Sequence, residues 1–390
     1  MVFEMKSKIF LMITLILLWS CNDNSTNPID ENLDFPEVIQ FTKEKLMVSV
    51  NETPSGKYPI RTMGIGKWEF TNPNEWTSGF FPGALWYSYM LTNDEQINAH
   101  ADYFTIGLKG QEFHTDNHDV GFMIFNSFGN GYKVNQSEEY KNIILQGANS
   151  LASRYNPTVG SIQSWNGEFQ VIIDNMMNLE ILFWAAKNGG SQFLYDIAVS
   201  HANNSIKDHI REDGSSYHVV VYDPVTGEVD YKRAAQGYDV NSCWSRGQAW
   251  GIYGFTMCYR ETNDEKYLAA AKKMADYFIE NLPSDYIPYW DFKLPENYDK
   301  NFRDASAASI ACSALFELGK ILGKESKYYS TGVNILISLN NNYLSINTAS
   351  SGLLLHGAYN VNSSNPNDWD ASTIWGDYYY MEALWRYKNL

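Results

Sequence analysis

The sequence predicts an all-α (α/α)6 toroid, six inner and six outer helices in a closed ring, with a small β-hairpin insertion. Three observations predict it. Stretches apolar nearly all round recur six times, opening at Trp76, Asp119, Asp174, Trp244, Asp304 and Trp375, at intervals of 43, 55, 70, 60 and 71 residues. Most of the intervening segments hold a charged helical stretch, as in 137–155 and 191–210. Finally, no Pro/Gly/Ser-rich linker or charge block divides the chain, so residues 35–390 read as a single catalytic domain although they exceed the usual size of one.

Residues 1–20 read as an export signal: Lys6 and Lys8 precede an apolar run over 9–18, and Ser20 is small. The run is too short to span a bilayer. Cys21 follows at once, and Leu18-Trp19-Ser20-Cys21 resembles a bacterial lipoprotein box. Cys21 is therefore the expected lipidation site of an exported lipoprotein, held in the periplasm or at the outer membrane or cell surface, with the lipid as its only membrane contact. Residues 21–34, polar and Pro-containing, form the tether. Further on, 173–186 (IDNMMNLEILFWAA) is apolar except at its start and predicts an inner helix. Thr262 and Glu265 suit a capping box, with Tyr267, Leu268, Ala271, Ala275, Phe278 and Leu282 on one face of an outer helix. Between these, 217–232 (YHVVVYDPVTGEVDYK) alternates β-branched residues around Asp-Pro-Val-Thr-Gly, the pattern of a hairpin.

With 29 Lys+Arg against 45 Asp+Glu, a net charge of -16, the surface has no global basic character with which to coat nucleic acid, so no nucleic-acid partner is expected. The 12 Trp, 27 Tyr and 20 Phe suit a sugar-binding cleft, where an aromatic face packs on pyranose C–H groups, and equally an aromatic-rich helical core. Beyond Cys21 only Cys243, Cys258 and Cys312 remain, without C-x-x-C spacing, which argues against a disulfide framework or a structural zinc. No cofactor is expected, because Gly-rich phosphate loops and G-x-S-x-G are absent. His114 and His118 stand four apart, but Thr-Asp-Asn between them favours a loop, and no metal site is expected.

In such a ring the inner helices run in one direction, so their first turns meet at one mouth. There His118-Asp119 opens the second inner helix, Asp174-Asn175 the third and Trp244-Ser245-Arg246 the fourth. Two carboxylates in a partly apolar cleft separate their pKa values, one staying protonated as an acid. The competing explanation is capping, since Asp119, Asp174 and Asp304 each sit where an N-cap would. Asp174 fits that less well, because it is embedded in Val-Ile-Ile-Asp-Asn-Met-Met and a buried carboxylate is costly unless paired or used.

Several long strings resemble, in order along nearly the whole mature chain, the unsaturated glucuronyl hydrolases of glycoside hydrolase family 88. They are the run from Trp76 to Trp86 (WTSGFFPGALW), His118-Asp-Val-Gly-Phe-Met123 with Ser127-Phe-Gly-Asn-Gly-Tyr132, and the run from Val171 to Glu180 (VIIDNMMNLE). Arg211 to His218 (REDGSSYH), Gln236-Gly-Tyr, Trp244 to Trp250 (WSRGQAW) and Gly376-Asp-Tyr-Tyr complete the match. The resemblance implies the same (α/α)6 barrel. It also implies removal of a 4,5-unsaturated uronic acid from the non-reducing end of lyase-generated oligosaccharides, glycosaminoglycan fragments foremost. Asp174 is then the acid/base residue and Asp119 the second essential carboxylate, with Trp76, His118, His218, Gln236, Trp244, Arg246 and Trp250 as substrate contacts. One departure bears on the leaving sugar: some members bind its sulfate through Ser and Lys of a C-terminal loop. Here 357–370 keeps Ser363 and Ser364, but no Lys or Arg lies between Lys327 and Arg386. Two rival functions remain at this stage, an inverting glycosidase acting on saturated sugars and a non-catalytic glycan-binding surface lipoprotein.

Overall fold

The computed structural model describes residues 35–390, and the signal segment, Cys21 and the tether lie outside these residues. The chain runs Phe35–Glu52 (α1), Tyr58–Thr62 (β1), Trp68–Thr71 (β2), Phe80–Thr92 (α2) and Glu95–Ile106 (α3). A π-helical segment, Gly121–Gly129, continues as Asn130–Asn135 (α4), and Glu138–Ala152 (α5) follows. Short strands Tyr155–Asn156 (β3), Ser161–Ile162 (β4) and Phe169–Ile172 (β5) lead to Asn175–Lys187 (α6) and Gln192–His209 (α7). Val219–Tyr222 (β6) and Val229–Arg233 (β7) precede Ser245–Thr262 (α8), Glu265–Glu280 (α9), Ala305–Leu322 (α10), Lys327–Ser338 (α11) and Ile374–Lys388 (α12).

Packing closes the inner ring in sequence order: α2 on the π segment, then α6, α8, α10, α12 and back to α2. The outer helices α3, α5, α7, α9 and α11 each pack on the inner helix before them, and α1 covers α2. This is the (α/α)6 barrel that the six-fold recurrence predicts. Inner helices are buried nearly all round, as in α10, where Ala305 to Phe316 are all buried. Outer helices are amphipathic, α9 burying Tyr267, Leu268, Ala271, Ala275 and Phe278. Close approach of the second and third inner segments depends on Gly121, where a Cβ would fall 2.5 Å from Asn178 Oδ1, the atom that accepts from Phe122 N at 2.8 Å.

Some boundaries differ from the sequence expectation. Thr262 is the last residue of α8, and the cap of α9 is Asp264, whose side chain accepts from Lys266 N. The first inner helix begins at Phe80 rather than Trp76, which leaves Trp76 on the preceding turn. The expected hairpin is present as β6–β7, with Asp223 Oδ1 accepting from Val225 N in its turn, but β5 joins it to make a three-stranded antiparallel sheet.

Candidate active site

The five outer helices α3, α5, α7, α9 and α11 start on a Ser or Asp whose side chain accepts from the first turn: Asp94, Ser137, Ser191, Asp264 and Ser326. Among the inner ones, Asp304 caps α10 through Ser306 N and Ala307 N. Asp174, in the cap position of α6, makes no capping bond, and its Oδ2 is buried without a hydrogen-bond partner. Asp119 likewise lies at the start of the second inner segment, whose N-terminus has no side-chain cap. Capping thus explains Asp304 and leaves the other two carboxylates free.

Each of these lies beside a histidine, Asp174 through sheet register and Asp119 through its sequence neighbour. The β5–β6 ladder ends at Ile172↔Val219, and Ile173 N donates to His218 O at 3.1 Å. Asp174 and His218 therefore meet, with Nε2 of the ring 3.8 Å from Asp174 Oδ2. His218 stacks on Trp244, with centroids 4.3 Å apart and planes at 26°, and its Nδ1 accepts from Gln236 N at 3.2 Å. His118 Nδ1 lies 3.1 Å from Ser164 O and Nε2 lies 3.3 Å from Asp119 Oδ1. Burial raises the Asp119 carboxyl to about 7, against a lowering by Arg154. Burial raises Asp174 to about 7 as well, opposed by Arg246 and assisted by the Asp119 charge. Both histidines are held neutral, burial lowering each to about 3.

Trp76, His118, Asp119, Asp174, Gln236, Trp244 and Arg246 line one cavity of about 250 Å³, together with Phe122, Trp165, Ile172, Ala235, Tyr359 and Asn360. His218 and Trp250 stand behind this wall. Trp250 is 1% exposed, with its indole N–H toward Asp174 and no other partner. Arg246 is also 1% exposed. Its Nη1 donates to Asp304 Oδ2 at 3.0 Å and to Ala358 O, its Nη2 donates to Tyr359 O at 2.8 Å, and the guanidinium lies against Trp244 and Trp375.

Those carbonyls belong to the loop between the paired Gly357 and Ala371, which Gln236 Nε2 also grips at Tyr359 O (3.1 Å). Although the loop has no cation of its own, two more reach it besides Arg246. Arg61 pairs with the buried Asp368 at 2.6 Å, and Lys300 Nζ lies 4.0 Å from the Trp369 ring centroid. Sequence reasoning missed Trp165, Phe122, Tyr359 and Asn360. Trp165 sits in a polar Ser-Trp-Asn-Gly turn without periodicity, and Tyr359 reaches the cavity only through long-range packing. Loop geometry at His114 to His118 holds as expected, since these residues follow the 3-10 turn Gln111–Phe113 and belong to no helix.

A helical ring with two uncapped, buried carboxylates among aromatic walls at one mouth has the acid/base equipment of a glycoside hydrolase of the (α/α)6 class. The sequence matches Glycosyl Hydrolase Family 88 over residues 57–260, just over half of the chain. It is 44% identical over 325 residues to an unsaturated glucuronyl hydrolase of Formosa agariphila, covering 81% of this chain and 80% of that one. An unsaturated chondroitin disaccharide hydrolase of Streptococcus pneumoniae is 35% identical, over 80% and 82%. Among solved structures, an unsaturated glucuronyl hydrolase specific for heparin superposes with a TM-score of 0.86 at 37% identity, covering 91% of this chain and 97% of that one. The chain belongs to glycosyl hydrolase family 88.

Proposed function

We propose that this enzyme removes a 4,5-unsaturated uronic acid from the non-reducing end of lyase-generated oligosaccharides by hydrating the C4=C5 vinyl ether. The observation that carries the reading is the pair Asp119 and Asp174, uncapped and buried in one cavity beside Arg246. At about 250 Å³ the cavity is smaller than the ~300–1,000 Å³ of drug-sized ligand sites. That size suits one sugar ring, with the leaving sugar outside the cavity. Exo action on a terminal residue accords with that size.

Asp174 delivers its proton to C4, positive charge develops at C5 and the ring oxygen, and the resulting carboxylate takes a proton from the water that adds to C5. The hemiketal then opens and the remaining sugar departs. Trp76, Trp165 and Trp244 pack on the flat ring. The charge of Arg246 and the N–H groups it does not use toward the loop attract the uronate carboxylate. Relatives named for chondroitin and heparin fragments support glycosaminoglycan disaccharides as the substrate class. Incubation with an unsaturated chondroitin disaccharide, followed by the ultraviolet absorbance of its conjugated double bond, tests the reading. Absorbance disappears if it holds; turnover of the saturated analogue instead would favour the inverting-glycosidase rival.

The pH profile is a second expectation. The acid form of Asp174 is needed, and burial keeps it protonated to about 7. Turnover is thus expected to fall as pH rises through about 7 and to follow one proton, which initial rates across pH will measure.

Export and lipidation at Cys21 complete the proposal, supported by the sequence pattern alone. Fractionation of cells expressing the whole chain is expected to find it with membranes, and Cys21→Ser is expected to move it to the soluble fraction. Recovery of the parent chain in the cytoplasm with residues 1–20 intact would contradict this.

A further inference from the structure

We propose that His118 is a positioning residue that keeps a proton on Asp119, so that Asp119 adds no negative charge to the site when an anionic sugar enters. This rests on the uronide reading above.

The argument starts from the two histidine tautomers. Ser164 O is a carbonyl and only accepts, and it already receives His118 N at 3.0 Å. His118 Nδ1, 3.1 Å away, must carry the ring hydrogen, so in the neutral ring Nε2 is a bare lone pair. That lone pair has no hydrogen-bond partner and lies 3.3 Å from Asp119 Oδ1. An ionised carboxylate there would set lone pair against lone pair, a repulsion that protonation of the carboxyl relieves. The other arrangement, an imidazolium against a carboxylate, would bury two charges, and His118 is 1% exposed.

Around Asp174 the polarity is reversed. His218 Nδ1 accepts from Gln236 N, so its N–H is on Nε2, the atom facing Asp174 Oδ2. Arg246 and the Trp250 N–H also favour the ionised form there. Two histidines in opposite tautomers therefore make Asp119 the harder of the two carboxyls to ionise. The other charged groups acting on the dyad are Arg154, whose guanidinium bonds Gln163 O, Thr115 O and Asn166 Oδ1, and Glu75 and Asp174 near Asp119; neutral His201 lies beyond His118.

The consequence concerns substrate entry. A uronate brings its own carboxylate, and the positive charge of Arg246 is already matched by Asp304. With both site carboxylates ionised, three anions would share one small cavity. A neutral Asp119 lowers that repulsion at the binding step.

The test uses the full chain carrying Asp174→Asn, which removes turnover and the second titration. Dissociation constants of an unsaturated chondroitin disaccharide are measured across pH by calorimetry. Affinity is expected to be flat up to about pH 7, where burial sets the Asp119 proton, and then to weaken about tenfold per pH unit. Adding His118→Asn retains an amide donor for Ser164 O and deletes the Nε2 acceptor. The weakening should then begin at least about one pH unit lower, and should vanish with the methyl ester of the uronate. Superimposable curves with and without His118→Asn would overturn the proposal while leaving the uronide reading intact; that reading fails separately if the parent chain neither binds nor turns over the disaccharide. Should His118→Asn not fold, infrared spectroscopy of the Asp174→Asn chain decides: a protonated carboxyl band at about pH 6 that is lost when Asp119→Asn is added supports it, and absence of that band from Asp174→Asn overturns it.

Discussion

Asp174→Asn is expected to lower turnover by about 100- to 10,000-fold, the range lost with a general acid, while the ring stays folded and still binds the sugar. The amide keeps the size of the carboxyl but has no acidic proton for C4 and no base for water. The helix does not depend on the carboxylate, since Asp174 makes no capping bond and its Oδ2 has no hydrogen-bond partner. A variant within tenfold of the parent, with deamidation excluded by mass spectrometry, would remove Asp174 from the mechanism.

The same substitution is expected to stabilise the fold. Folded Asp174 keeps its proton up to about 7, against an unperturbed value of 3.8. Ionisation therefore favours the unfolded chain: the penalty is absent below about pH 4, grows as pH rises toward 7, and stays constant above it. Asn has no such penalty, so the melting temperature of Asp174→Asn should exceed that of the parent at pH 8, and the gap should close in acid. An active-site carboxylate that costs stability is what a functional rather than structural position predicts.

Capping shows how far the sequence could be read. An Asp before an apolar helix looks the same whether its side chain binds the first turn or points away, and Asp119, Asp174 and Asp304 are equivalent by that pattern. What separates them is tertiary: the β5–β6 register draws Asp174 toward His218, the Ser164 carbonyl fixes His118 beside Asp119, and Asp304 turns inward to its own helix and Arg246. Helical periodicity was legible because an inner helix must be apolar all round, and that property is local. Helix starts were less so. Thr262 was an equally good cap by residue type, yet Asp264 lies one residue before the turn that needs it.

Rim residues were the least legible part of the site. The loop after Gly357 has no period, and its role depends on which distant groups hold it. Arg61, Gln236 and Arg246 come from three separate segments to grip Asp368 or the backbone at Ala358 and Tyr359. Lys300 shows the same limitation for charge. A search of the loop's own sequence finds no cation, whereas the fold lays one on Trp369. The aromatic excess could not distinguish core from cleft because the protein uses both: Trp76 touches Phe80, Phe122 and Trp375 in the core and also lines the cavity.

Arg246→Lys is expected to cut kcat/KM at least about a hundredfold, because a misplacement of about 1 Å at the site is enough for such a loss. The planar fork of Arg246 spans Asp304 and two successive loop carbonyls while its face rests on Trp244, and the single ammonium of Lys reproduces neither feature. Arg246→Ala goes further: it leaves the fully buried Asp304 Oδ2 without its ion pair, a change that costs about 3–5 kcal/mol in comparable buried pairs, so a lower melting temperature should accompany the lost activity. Stability and recognition are then separated by the substrate. If Arg246 also draws in the uronate, reducing that carboxylate to the neutral alcohol should harm the parent enzyme much more than Arg246→Lys, since the variant has already lost part of the contact. Measured kcat/KM values for both enzymes on both substrates give the coupling directly. Strict additivity would mean that Arg246 serves the loop and Asp304 alone, and the uronate would then need another partner in the cavity.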